Sequence, residues 1–190
     1  MGEAKRKKSA TRKFVELYPR CCFCAGVRPA TTREHMPPKS VFDFSHRPDK
    51  LIMPACDQCN RGTSTADLIA AVTSRWGYLN TEQENADHRR LVSQVRKQAP
   101  KIADEWTKPI DRIAARAHLK QHGVDLPADA GMVSIGPLTI QHLNQFSHKF
   151  VLALISNISR NFCLRSGASL VFGEPRKILV VRVFLLFCLR

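Results

Sequence analysis

The sequence predicts an α+β protein: a small cysteine-rich module with short strands near the N-terminus, a mostly helical region after it, and short apolar strands at the C-terminus. Three observations carry this. Four cysteines fall in two Cys-x-x-Cys pairs within the first third of the chain, Cys21/Cys24 and Cys56/Cys59. Helical spacing of apolar residues begins near Thr81 and recurs up to about residue 165. The last residues, ILVVRVFLLFCLR (178–190), form a short apolar run. With 190 residues, 44% of them apolar, the chain is long enough to bury a real core.

Residues 1–13 hold Lys5, Arg6, Lys7, Lys8, Arg12 and Lys13 against Glu3. Such a block reads as a flexible basic arm able to trail along a phosphate backbone. No apolar run follows it, so no signal peptide is read and a reducing cytoplasm is expected. There, Cys-x-x-Cys pairs more often hold metal than form disulfides. The formal net charge of +14 suits a polyanionic partner, nucleic acid or an anionic membrane surface.

Residues 14–75 form the cysteine-rich module. VFDF (41–44) and LIM (51–53) read as short strands separated by the turn SHRPDK. A helix is expected from Asn60, with Ser64 and Asp67 in capping-box spacing. The helical region is expected over 81–167. Thr81 is a plausible N-cap, with Glu82 and Glu84 in the first turn. Leu91, Val92, Val95, Ala99, Ile102, Ala103 and Trp106 follow helical spacing, and Pro100 should split the segment. Pro109–His122 reads as a further helix ending at Gly123, and 124–136 as a loop. A long helix over about 138–165 presents Ile140, Leu143, Phe146, Phe150, Leu154, Ile158 and Phe162 as one core stripe. The pieces at 169–172 and 178–189, within the apolar segment 168–190, read as strands. The terminal run is shorter than the ~20 residues of a membrane span and is interrupted by Arg182. It reads as a buried strand, or as the end of a truncated or frame-shifted reading frame.

The chemistry lies in the module. Cys21, Cys24, Cys56 and Cys59 offer four thiolates, with residues 25–55 between the pairs. Four thiolates at about 2.3 Å satisfy a closed structural Zn²⁺ site. Cys22 lacks the spacing and reads as a bystander; Cys163 and Cys188 read as small buried hydrophobes. Between the pairs stand Glu34-His35 and Pro37-Pro38, and Asn60 follows Cys59 directly. His46, His88, His118, His122, His142 and His148 carry weaker signals and read as surface or core residues.

EHMPPK (34–39) and PACDQCNRGTS (54–64) together resemble the HNH endonuclease superfamily over residues 21–67, about a quarter of the chain. The resemblance implies a zinc-stabilised ββα-metal finger that hydrolyses phosphodiester bonds in DNA. It implies His35 as general base, with Glu34 and Asn60 holding a catalytic Mg²⁺ or Mn²⁺ and Asp67 as a further candidate ligand. Arg33, Lys39 and Arg61 are the candidate phosphate contacts, Lys39 presented by the stiff Pro37-Pro38. Many members carry an asparagine in the strand before the second cysteine pair. This chain has Asp49-Lys50 in that region, and a lysine cannot accept a hydrogen bond from the imidazole. The competing expectation is a non-catalytic zinc-finger protein that binds nucleic acid; an RNA-directed nuclease is a third.

Overall fold

The computed structural model describes the backbone of residues 2–42, 51–76 and 81–166, with side chains over 10–42, 51–76 and 81–159. Helix α1 (Gly2–Leu17) is followed by a 3₁₀ turn at Cys22–Cys24, strand β1 (Thr32–His35), a second 3₁₀ turn at Lys39–Val41 and strand β2 (Ile52–Ala55). Helices α2 (Asp57–Arg61), α3 (Ser64–Thr73), α4 (Glu82–Gln98), α5 (Pro100–Trp106), α6 (Arg112–Gln121) and α7 (Pro137–Ser166) follow. The class is α+β, mostly helical, with one two-stranded antiparallel sheet among the described residues. The strand-like pieces expected at 169–172 and 178–189 lie outside the described residues. No described helix is long and apolar enough to cross a membrane.

Residues form two compact units. One takes the chain up to Ser64 and again from Asn144; the other is Thr65–Leu143. In the first unit β1 and β2 pair in the register Thr32↔Ala55, Arg33↔Pro54, Glu34↔Met53 and His35↔Ile52. Thr31 N–H to Ala55 O and Met36 N–H to Leu51 O extend the ladder at both ends. Met36, Met53, Ala55 and Cys21 are fully buried around it.

Three expectations for this unit are corrected. Residues 2–17, where the basic arm was expected, are helical. Lys, Arg, Ala and Glu are good helix formers, Arg12 pairs with Glu16 one turn on at 2.9 Å, and Thr11 Oγ1 accepts a hydrogen bond from Arg33 Nε of β1 at 3.1 Å. Val41 ends a 3₁₀ turn and Phe42 caps it, so VFDF does not begin as a strand, and its last two residues lie outside the described residues. The helix expected from Asn60 begins earlier, at Asp57, because Cys56 caps it: its Sγ accepts the Cys59 N–H at 3.4 Å. Ser64 is then the first residue of α3, not a cap before it.

The second unit follows its capping signals closely. Thr81 and Glu84 exchange side-chain-to-backbone hydrogen bonds at 3.1 and 2.8 Å, a full capping box for α4. Pro100 opens α5 at its first position, directly after Ala99 breaks the helical backbone. Asp111 caps α6 through the N–H groups of Ile113 and Ala114, and Gly123 leaves it with φ +78°. Leu91, Val95, Ile102 and Ala103 are buried, and Trp76 meets Trp106 edge-on at 5.4 Å.

The start of α7 is held by Glu105 of α5. Its carboxylate accepts the N–H groups of Leu138 and Thr139, both at 2.9 Å, and the Thr139 hydroxyl at 2.7 Å. A distant carboxylate thus satisfies helix N–H groups that have no partner inside the helix. Trp106 Nε1 donates to the same hydroxyl at 3.0 Å. Burial pushes the Glu105 carboxyl up, but the Thr139 hydroxyl and the two amides outweigh it and hold it below the usual carboxylate range. Gly136 leaves the room this needs: an added Cβ would lie 2.6 Å from Glu105 Oε1.

The stripe expected on α7 is also corrected. Ile140, Leu154 and Ile158 are exposed, while Thr139, Phe146, Lys149 and Ala153 are buried. Phe162 has no described side chain. Two polar residues set the rotation of the helix, because each is drawn inward by a carboxylate: Thr139 by Glu105, Lys149 by Glu34.

Glu105→Ala leaves two amides and a hydroxyl without their acceptor and should cost about 2–3 kcal/mol in chemical denaturation. Because the folded carboxyl is depressed, its contribution is present above the ordinary carboxylate pKa and is lost as pH falls through the folded value. Glu105→Gln should therefore flatten the acid limb of the stability–pH curve. Gly136→Ala should destabilise the protein in wild type and much less in Glu105→Ala.

Candidate metal centre and the Glu34 site

Residues around the first cysteine pair fold into a tight turn. Gly26 N–H bonds to Cys21 O at 2.9 Å and Val27 N–H to Cys24 O at 3.0 Å, while Cys21 N–H bonds to Arg28 O at 3.0 Å. The turn needs Ala25 at φ 50° and Gly26 at φ +78°, the left-handed region glycine enters without cost. The second pair sits on α2, where Cys56 precedes the helix and Cys59 lies inside it. The β1–β2 pairing closes the distance between them. One ligand sulfur from each of Cys21, Cys24, Cys56 and Cys59 lies within 4.8 Å of all the others. A Zn²⁺ ion with sulfurs at about 2.3 Å needs them about 3.8 Å apart, so a small contraction completes the tetrahedron. The donor set fits zinc or another thiolate-seeking ion. Cys22 is not in the cluster.

Burial pushes the Cys21 thiol up to about 12. It also pushes Cys59 up, aided by the Cys56 thiol. At Cys56 burial is outweighed by hydrogen bonds from the Cys59 N–H and from the Cys59, Cys21 and Arg28 side chains, which bring it down to about 7. Arg28 is a cation against the cluster that the spacing argument missed. Its Nη2 donates to Cys59 Sγ at 3.3 Å and its Nη1 to Gln58 Oε1. The Cys59 and Cys56 contacts raise its own pKa. A four-thiolate zinc centre carries excess negative charge, and a guanidinium beside it offsets part of that charge.

β1 carries the remaining candidates. Side chains alternate along a strand, so Thr32 and Glu34 leave one face while Arg33 and His35 leave the other. Asn60 joins the first face: its Nδ2 donates to Thr32 Oγ1 at 3.0 Å. Glu34 and Asn60 therefore serve the same side of β1. Glu34 is buried opposite Met53. His35 is half-buried at the end of the strand, opposite Ile52. The Met36–Pro37 peptide is cis, and Pro38 is extended.

Glu34 already has a cation beside it. Lys149 Nζ of α7 donates to Glu34 Oε1 at 3.1 Å, with the two side chains 3% and 11% exposed. The same ammonium lies 5.6 Å from the ring centroid of Phe23, inside the first cysteine turn. Gln145 Nε2, one turn earlier, donates to Gly62 O at 3.3 Å. Lys149 was not among the sequence candidates. Its only signal was a lysine between Phe146 and Ala153 on the apolar side of a helix.

Arg33 is engaged by Thr11. Arg61 is exposed and pairs with Asp57 at 3.0 Å. Lys39 is exposed in the second 3₁₀ turn. Asp67 lies in the first turn of α3 and is half-buried within the second unit. His46, Asp49 and Lys50 lie outside the described residues. Comparison with protein-family models, curated proteins and solved structures returns no match.

Metal analysis should give about one zinc per chain, and Cys56→Ser should release it and unfold the module; retained folding after complete chelation contradicts the site. Arg28→Ala should weaken zinc binding by about 10–100-fold in a chelator competition while leaving one ion per chain at saturation.

Proposed function

We propose that the chain is an HNH-type endonuclease, built on a ββα-metal finger that zinc holds in shape, with DNA as its first substrate. One observation carries the reading. The β1–β2 pair and α2 bring Glu34 and His35 of one motif and Asn60 of the other onto a single small frame closed by four thiols. The Asn60–Thr32 contact ties the helix motif to the strand motif.

The roles are those the HNH resemblance implies, and the donor chemistry is compatible with them. His35 sits at the end of a strand and half-exposed, where a neutral imidazole can take a proton from an attacking water. The Asn60 Oδ1 points away from the amide nitrogen that Thr32 engages, and Glu34 supplies a carboxylate on the same side of β1. A hard divalent ion held by these two oxygens would stabilise charge on the phosphate and on the leaving 3′ oxygen. Lys39 and Arg61 are exposed for phosphate contact. The net charge of +14 supports nucleic-acid association in either reading.

A second reading, a zinc-finger protein that binds nucleic acid without cutting it, is favoured by the Lys149–Glu34 pair. An ammonium already neutralises the carboxylate on which the metal depends.

Purified, zinc-loaded protein should nick supercoiled plasmid with Mg²⁺ or Mn²⁺, and His35→Ala should lower the rate by about 10²–10⁴-fold. Nicking that persists in His35→Ala removes the role assigned to His35. Salt-sensitive binding with no cleavage of DNA or RNA under any divalent ion selects the second reading. Parallel DNA and RNA substrates at one salt concentration decide the substrate class.

A further inference from the structure

We infer that Lys149 is a built-in competitor for the divalent ion at Glu34, so that the site accepts a metal only when this ammonium withdraws. The inference rests on the metal-dependent reading of Glu34 and Asn60, and it names what regulates that site.

A lysine inside a protein is costly unless its charge is matched. Lys149 is 3% exposed and is matched by Glu34 Oε1 at 3.1 Å. The face of Phe23 adds a favourable surface for the ammonium, at 5.6 Å from the centroid. The lysine is thus held by the carboxylate proposed as metal ligand and by an aromatic ring from the cysteine turn. The two partners are 115 residues apart in sequence, so the pairing belongs to the folded unit alone.

Two cations cannot share this carboxylate at full strength. An ammonium and a divalent ion a few ångströms apart repel strongly in a poorly solvated site. Binding a metal therefore requires Lys149 to leave Oε1. Its flexible four-carbon stem permits that movement with α7 in place. The Gln145–Gly62 contact still ties the helix to the module. Bound Lys149 keeps the site closed and the carboxylate paired. Released Lys149 leaves a buried carboxylate on the same side of β1 as Asn60, a site that attracts a hard cation.

The test uses full-length zinc-loaded protein and Mn²⁺ alone, titrated by electron paramagnetic resonance at constant ionic strength, with wild type, Lys149→Met and Glu34→Gln/Lys149→Met. Lys149→Met should bind one Mn²⁺ at least about tenfold more tightly than wild type. Mn²⁺ should raise its melting temperature, including where loss of the Lys149 ammonium has weakened the fold. The double variant should lose both responses while keeping its zinc. Equal Mn²⁺ affinity in wild type and Lys149→Met overturns the inference. So does a Mn²⁺ response that survives in the double variant, or a Lys149→Met protein that Mn²⁺ fails to stabilise. Plasmid cleavage measured in parallel separates the two claims. Tight Mn²⁺ binding by Lys149→Met without cleavage counts against the nuclease and leaves the competition standing. Cleavage with unchanged Mn²⁺ affinity does the reverse.

Discussion

A two-stranded sheet of four residues a side has too little hydrogen bonding and too little apolar surface to persist alone in water. Here a cluster of four sulfurs that could hold a zinc ion lies beside it. Cys21 and Cys24 stand before β1, Cys56 and Cys59 after β2, and the four sulfurs meet within 4.8 Å. Within the second pair Cys56 caps α2 by accepting the Cys59 N–H, and Asn60 of that helix donates to Thr32 of β1.

Buried carboxylates do the second part of the organising. Glu105 receives the first turn of α7, and Glu34 receives Lys149 farther along the same helix. Both contacts pull a polar residue inward and turn apolar residues such as Ile140, Leu154 and Ile158 outward. The physics differs between the two. Glu105 meets neutral N–H and O–H donors and stays ionised because they favour its charge. Glu34 meets a full positive charge, so whatever else binds there must compete with it.

Much of the local structure was legible from short-range rules. The cap at Thr81, the split at Pro100 and the Gly123 exit are decided by a few neighbouring residues, which sequence displays directly, whereas the start of α6 lies at Arg112 behind the Asp111 cap and not at Pro109 as expected. The failures have the opposite character. Lysine and arginine density suggested an arm at 1–13 without secondary structure, but residues 2–17 form a helix, and Thr11 accepts a hydrogen bond from Arg33 of β1. Periodicity placed Ile140, Leu143, Phe146, Phe150, Leu154, Ile158 and Phe162 on the core face of α7; Phe146 is buried, but Ile140, Leu154 and Ile158 are exposed, because a hydrophobic pattern carries no information about two distant carboxylates.

The sequence by itself determined the four thiols, their Cys-x-x-Cys spacing and the adjacency of Glu34-His35 and Cys59-Asn60, because these are covalent neighbours whatever the fold. Only the tertiary structure decided that Asn60 reaches Thr32, that Arg28 supports the thiols and that Lys149 sits on Glu34. These are contacts across 28, 31 and 115 positions. A charge that arrives from 115 residues away leaves no local trace, because its partner is chosen by helix packing and desolvation after the chain has folded.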